Sequence, residues 1–192
     1  LGFVPGDENL TAVEMAHGSN IDVLYLLGAD EIPIHKSDGT FVIYQGSHGD
    51  AGAHAADVVL PGATYTEKSA TYVNTEGRAQ MTQRAIFPPG EAREDWKIIR
   101  ALSAVLGETL PYDNIGALRK AMYAATPTLT AIDEVEPADP KALDGLGGSG
   151  QMTAEPFSPV VDDFYLTNPI ARASAVMAEL SQLRSGMREA AE

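Results

Sequence analysis

The chain has 192 residues, with 13 Lys and Arg against 27 Asp and Glu, a formal net charge of −14 and no Cys. That length suits one domain, with or without an appendage, able to bury roughly 70% of its unfolded surface, and the acidic balance excludes nucleic acid as a main partner because phosphate neutralisation needs clustered Lys and Arg. The lack of cysteine removes disulfides, thiolate zinc sites, thiol catalysis and cysteine-ligated iron-sulfur clusters from these residues.

Along the chain, Thr11-Ala-Val-Glu14 has capping-box spacing and predicts a short helix from Thr11 to His17, stopped by Gly18. Asp22-Val-Leu-Tyr-Leu-Leu27 is an unbroken apolar run, the pattern of a strand buried on both faces. Phe41 to Tyr44 and Val58 to Leu60 repeat it, and the small-residue stretch from Gly46 to Ala56 between them has room for one short helix. Helix, strand, strand, short helix, strand is the order of an α/β layer with a mostly parallel sheet. None of these runs approaches the ~20 apolar residues of a membrane helix, so neither direct membrane insertion nor a targeting peptide is expected. With Leu1 in place of an initiator Met and the first strong strand at Asp22, the sequence leaves open whether the chain is complete or a piece of a larger polypeptide.

From Thr64 the pattern changes. Thr71 to Asn74 and Arg78 to Gln83 flank Thr75-Glu-Gly77 and predict a β-hairpin with one solvated or partner-facing side. Pro88-Pro-Gly90 then breaks the chain ahead of a helix from Glu91 to Leu106, with Trp96, Ile99, Leu102, Ser103 and Leu106 at helical spacing, acidic Glu91, Glu94 and Asp95 in its first turns, and Gly107 as the stop. A second helix is predicted from N-cap Asp113 through Ile115, Leu118 and Met122 to Pro127. Residues 131–165 carry eight acids against Lys141, a net of −7 and half of the total charge, with Pro137, Pro140, Pro156, Pro159 and a Gly run from Gly145 to Gly150. Such a segment reads as an extended acidic connector lying on a surface. A final amphipathic helix starts at Asn168 with Pro169 in first position and presents Ile170, Ala173, Met177, Leu180 and Leu183. The expected division is therefore an α/β segment over 1–130, the connector over 131–165 and the terminal helix over 166–192. That helix needs a surface to dock on, in its own chain or a neighbouring subunit.

Candidate chemistry is sparse. His48, Asp50, His54 and Asp57 are the one group with metal-ligand character, since Asp50 and His54 share a helix face and Asp57 lies a turn on. The competing structural interpretation has Asp50 capping a helix and the histidines packing or lying on the surface. Gly46, Gly49 and Gly52 follow a strand, but their spacing is not the dinucleotide fingerprint and Asp50 sits where phosphate would be repelled. Ser47 and Ser69 lack the G-x-S-x-G elbow of a hydrolase nucleophile. Glu67, Lys68, Glu76 and Arg78 are expected to form a structural ion-pair set at the hairpin base. From residue chemistry alone, this is an α/β domain without a self-contained active site.

The run from Phe41 to Gln80, which includes Gly46-Ser-His-Gly-Asp-Ala-Gly-Ala-His54, Asp57-Val-Val-Leu-Pro-Gly62 and Thr71-Tyr-Val-Asn-Thr-Glu-Gly-Arg78, resembles the large iron-sulfur subunit of the peripheral arm of respiratory complex I, the proton-pumping NADH:quinone oxidoreductase. Likeness continues through Pro88 to Leu102 and Leu110-Pro-Tyr-Asp113, and returns at Asp163-Phe-Tyr-Leu-Thr-Asn168 and Ile170-Ala-Arg-Ala-Ser174. Asp57 to Gly62, Glu67 and the hairpin from Thr71 to Arg78 also resemble the wider molybdopterin oxidoreductase superfamily.

The resemblance implies that the family's [2Fe-2S] and [4Fe-4S] clusters belong to an amino-terminal region not present here, followed by a molybdopterin-oxidoreductase-like body that has lost its cofactor and of which these residues form the carboxy-terminal part. It implies no catalytic, cofactor-binding or metal residue in this chain. The expected role is a scaffold, contacting other peripheral-arm subunits and the cluster-bearing part of its own chain. Electrons would pass elsewhere, from NADH through flavin and clusters to quinone. The implied location is the cytoplasmic face of a bacterial inner membrane or the matrix side of the mitochondrial one. The alternatives are a fragment of a true molybdopterin enzyme in which Gly46 to Asp57 contacts the pterin nucleotide, and an independent acidic protein-binding module using the terminal helix.

Overall fold

The computed structural model describes residues 10–17, 21–135, 137, 139–144, 149–152, 154–157, 161 and 163–189. Thr11 starts α1 (Ala12–Ala16) with the capping box its spacing predicts: the Glu14 amide donates to Thr11 Oγ1 at 3.3 Å, and the Thr11 amide donates to Glu14 Oε2 at 2.7 Å. The expected stop at Gly18 lies outside the described residues. Three strands follow, β1 (Val23–Leu27), β2 (Phe41–Gly46) and β3 (Val58–Pro61), in the order β1-β2-β3 and all parallel. The small residues between β2 and β3 supply α2 (Ala51–Ala55), the short crossover that parallel pairing requires.

Leu24, Leu26, Val42 and Tyr44 form the core of one sheet face, packed by Ile21, Ile34, Ala53 and Ala56. Full burial of each large side chain contributes about 1.5–3 kcal/mol before entropy. The prediction that β1 is buried on both faces is corrected. Its alternate residues Val23 and Leu27 are 58% and 53% exposed, with Phe41 and Val58 also exposed on that side, where Gln45, covered by the first turn of the following helix, is buried near the strand end.

The hairpin forms as β4 (Thr71–Val73) and β5 (Ala79–Met81), antiparallel, with Tyr72 opposite Gln80. It is shorter than predicted. Gly77, at φ +87°, makes the turn whose amides bond back to Asn74: Gly77 N to the carbonyl at 3.0 Å and Arg78 N to the side-chain oxygen at 3.0 Å.

Helix α3 (Asp95–Val105) begins four residues later than predicted. Arg93 is engaged with the sheet instead, its amide donating to Pro61 O at 3.1 Å and its carbonyl accepting from Ala63 N at 2.8 Å, so Glu91 to Glu94 are held out of the helix. Asp95 alone of the three acids sits in the first turn. Gly107, at φ +88°, closes α3, with Glu108 N reaching Ser103 O at 3.0 Å, the wide bond of a Schellman ending. Leu106, predicted on the apolar stripe, falls at this C-cap and is 72% exposed.

Helix α4 (Ile115–Ala125) is capped by Asn114, whose Oδ1 accepts from Ala117 N at 2.8 Å, and not by Asp113, which pairs with Arg100 at 3.1 Å. The start of the acidic stretch is attached to the hairpin: Ile132 bridges Ala79, and Asp133 N donates to Ala79 O at 2.8 Å.

The predicted terminal helix is two helices, α5 (Pro169–Arg172) and α6 (Ala175–Glu189). Asn168 caps the first and accepts from Ala171 N at 2.9 Å. Ser174 interrupts the run, its carbonyl accepting from Ala178 N at 3.0 Å while its hydroxyl oxygen accepts from Met177 N at 3.4 Å, the bonding of a second N-cap.

Candidate functional site

In open α/β sheets, ligands bind outside the carboxyl ends of the strands. At those ends of β1 and β2 the structure has a cavity of about 220 Å³ lined by residues including Leu27, Gln45, Ser47, Lys68 and Asp95. Gln45 is fully buried at the end of an otherwise apolar strand, where leaving its amide unpaired would cost about 1–3 kcal/mol. It is paired on both sides. The Tyr25 hydroxyl donates to its oxygen, and its Nε2 donates to Asp95 Oδ1 at 3.0 Å. The other Asp95 oxygen accepts from Lys68, so a Tyr25–Gln45–Asp95–Lys68 network ties β1 and β2 to the loop before β4 and to the first turn of α3. Burial and the Asp95 charge push the Tyr25 hydroxyl above the ordinary tyrosine range.

A second network lies beside α2. The buried Asp30 carboxylate accepts from Gly52 N, and the Tyr44 hydroxyl lies 2.7 Å from His48 O and 3.4 Å from Asp30 Oδ2. Burial, then the Asp30 charge, pushes Tyr44 up to about 12. Arg172 of α5 closes this network. Its Nε donates to Asp50, its Nη2 donates to Asp30 O at 3.3 Å, and its Nη1 donates to Leu166 O at 3.2 Å. The Arg172 hydrogen bond is the largest influence on Asp50 and, with the Arg172 charge, holds its carboxyl below the usual range against the opposing effect of burial.

His48, Asp50, His54 and Asp57 do not converge. Asp50 is taken by Arg172, and its side chain makes no helix-capping bond. Asp57 holds Lys36 at 2.5 Å and accepts from Val42 N at 2.8 Å, which lowers its pKa and staples β2 to the start of β3. His48 Nδ1 lies 3.0 Å from Ser47 Oγ. Among the described residues no group of three or more His, Asp or Glu side chains is placed to hold a metal ion. Ser69 Oγ accepts from Arg84 N at 3.1 Å, far from a nucleophile's arrangement. Of the charges expected at the hairpin base, only Glu76 and Arg78 pair, at 2.7 Å. Lys68 reaches Asp95 instead, and Glu67 accepts from Thr64 N at 3.0 Å within its own turn.

A pterin dinucleotide does not fit this strand-end mouth. The cavity is below the ~300 Å³ of a small-molecule site, and Lys68, the one cation lining it among the described residues, is already neutralised by Asp95. A Cβ on Gly46 would stand 2.4 Å from the Tyr44 hydroxyl, and one on Gly52 would stand 3.0 Å from Ala29 O, so close protein packing already accounts for both glycines. Hydrogen bonds and ion pairs hold the Glu14, Asp50, Asp57, Glu76, Glu94 and Asp163 carboxyls below their ordinary range, and burial above all pushes the Tyr25 and Tyr44 hydroxyls up.

The sequence missed Gln45, Asp95, Asp30 and Arg172. The available signals were a buried-pattern amide ending an apolar strand and an arginine interrupting an amphipathic face.

Comparison with known proteins fits this architecture. A family model described as molybdopterin oxidoreductase matches residues 1–105, more than half of the chain, and the chain belongs to that family. A second family model, for the C-terminal region of the G subunit of NADH-ubiquinone oxidoreductase, matches residues 134–180. The chain is 49% identical over 160 residues to the NADH-ubiquinone oxidoreductase 75 kDa subunit of Reclinomonas americana, covering 83% of this chain and 23% of that protein. It is 45% identical over 184 residues to the mitochondrial NADH dehydrogenase [ubiquinone] iron-sulfur protein 1 of Solanum tuberosum, covering 95% of this chain and 24% of that one. It is also 47% identical over 166 residues to the mitochondrial NADH-ubiquinone oxidoreductase 78 kDa subunit of Neurospora crassa, covering 82% and 22%. The chain thus spans about a quarter of the length of these relatives. Among the described residues no helix is long and apolar enough to cross a membrane.

Proposed function

We propose that this chain is a scaffold section of the electron-transferring iron-sulfur subunit of an NADH:quinone oxidoreductase, with electrons passing from NADH through flavin and iron-sulfur clusters to quinone outside these residues. The observation that carries this proposal is joint similarity: a molybdopterin-oxidoreductase-like body and the C-terminal segment of an NADH-ubiquinone oxidoreductase component, in one chain 45–49% identical to such iron-sulfur subunits. The strand-end networks support a structural role, since paired side chains occupy the carboxyl ends of the strands, where open α/β sheets bind ligands. On this proposal 1–130 is the α/β segment, 131–165 a connector and 166–192 the terminal helical segment, none of them holding a cofactor. The partners are other peripheral-arm subunits and the cluster-bearing part of the same polypeptide, on the matrix or bacterial cytoplasmic side of the inner membrane.

Affinity purification of the native polypeptide tests this. Co-purifying NADH:quinone oxidoreductase activity is expected, and a pure preparation of the native polypeptide without that activity in any fraction contradicts the proposal.

A further inference from the structure

A cavity of about 170 Å³, lined by the hairpin, α3 and α4, has two polar groups in its wall that the protein leaves unpaired. Arg119 of α4 donates from Nη2 to Ala70 O at 3.2 Å, just ahead of β4. Its Nε is buried with no hydrogen-bond partner among the described residues, and so is Oγ1 of neighbouring Thr71. A guanidinium N–H only donates, and a hydroxyl has one hydrogen to give, so this wall holds two donors without an acceptor. Leaving such groups buried and unpaired is costly, most of all for the charged one. The carboxylates nearby do not supply the acceptor. Asp95 is held by Gln45 and Lys68, and Glu94 by Lys97 at 2.8 Å and the Trp96 indole at 3.2 Å. Arg119 forms no ion pair with a carboxylate among the described residues. The rest of the wall is chiefly apolar, from Trp96, Ile115, Leu118 and Met122.

We infer that this cavity is a binding site for a short-chain aliphatic monocarboxylate. Its two oxygens accept from Arg119 Nε and Thr71 Oγ1, and its hydrocarbon chain lies against Ile115, Leu118 and Met122. A phosphate is disfavoured by the same wall. It would bring further oxygens with no donors to meet them, and its second charge would face Glu94 and Asp95. Volume sets the size, since about 170 Å³ takes a chain of a few carbons and excludes a nucleotide. A wider hollow of about 450 Å³ adjoins it, sharing Ser69, Glu94, Trp96 and Ile115, and supplies a route of entry. The inference does not depend on the electron-transfer role proposed above.

Pentanoate is the probe, titrated against the native polypeptide and followed by saturation-transfer NMR. Saturable binding with a Kd on the order of 1 mM is expected, the range for a ligand of so few heavy atoms. Pentan-1-ol keeps the chain and lacks the charge, and is expected to bind at least about 10-fold more weakly; Arg119→Gln is expected to weaken pentanoate by at least the same factor. No saturable binding by wild type, equal binding of the alcohol, or an unchanged Kd in Arg119→Gln overturns the inference. Should Arg119→Gln fail to fold, the wild type still decides. A crystal of the native polypeptide soaked in 3-bromopropionate locates the ligand by the anomalous signal of its bromine. Bromine in this cavity, with the carboxylate on Arg119, is expected. Bromine only at other sites, or Arg119 already paired with a carboxylate from another part of the native polypeptide, overturns the inference. None of these results depends on redox activity, so the inference and the functional proposal fail independently.

Discussion

At the residue scale, Arg172 makes the widest set of bonds. One guanidinium binds the Asp50 carboxylate and two backbone carbonyls, joining α5 to the loops that follow β1 and β2. Arg172→Ala is expected to lower stability by about 1–2 kcal/mol in denaturant unfolding, reduced from the value of a fully buried charged bond because both groups are partly solvated. It should also speed proteolysis between 131 and 165, where a loosened terminal segment exposes chain. The pH dependence has a definite sign. Asp50 is held below its unfolded-state pKa, so its contribution is present above the ordinary carboxylate range and is lost as pH falls through the depressed value. The stability gap between wild type and Arg172→Ala should therefore be flat from about pH 5 to pH 8 and narrow below about pH 4, with the part due to the two carbonyl bonds remaining. Gln45→Leu removes one buried amide but strands the Tyr25 hydroxyl and one Asp95 oxygen, with an expected loss of about 2–3 kcal/mol by the same assay.

At the element scale, boundaries are decided by tertiary partners. Trp96, at the start of α3, is half-buried between the hairpin and α4, lining an adjacent cavity of about 170 Å³, and its indole donates to buried Glu94 at 3.2 Å. Burial acts to raise the Glu94 pKa, but the Lys97 ion pair, Ser69 amide and this indole together outweigh it and keep the carboxyl below its ordinary value. Trp96→Ala is expected to cost about 1–3 kcal/mol, less than for a fully enclosed Trp, in calorimetry or chemical unfolding. Local signals were legible where the chemistry is local: the Thr11–Glu14 box, the Gly77 turn, the Gly107 stop and the three apolar strand runs all form. What sequence could not supply is long-range bonding. Helix periodicity starts at Glu91, yet Arg93 is claimed by Pro61 and Ala63, and a continuous terminal stripe is cut where the Ser174 side chain and backbone cap a new helix. The grouping of His48, Asp50, His54 and Asp57 is undone for the same reason: His54 lies in α2 and Asp50 just before it, but an arginine 122 residues away takes the carboxylate.

At the scale of the whole molecule, the chain resembles a supporting wall. Its strand ends carry paired side chains, Val23, Leu27, Phe41 and Val58 are exposed on one sheet face, and Val105 and Leu106 are 84% and 72% exposed at the end of α3. Leu106→Lys should leave unfolding midpoints of the native polypeptide nearly unchanged, within about 0.5 kcal/mol, if that residue is solvated, and should reduce recovery of the assembled oxidoreductase if it is an interface residue. The central claim is that a molybdopterin-oxidoreductase fold serves here as structure in an iron-sulfur electron-transfer subunit. Metal analysis of the purified native polypeptide tests that most directly. The account predicts iron in cluster stoichiometry with no molybdenum or tungsten, and stoichiometric molybdenum or tungsten would contradict it.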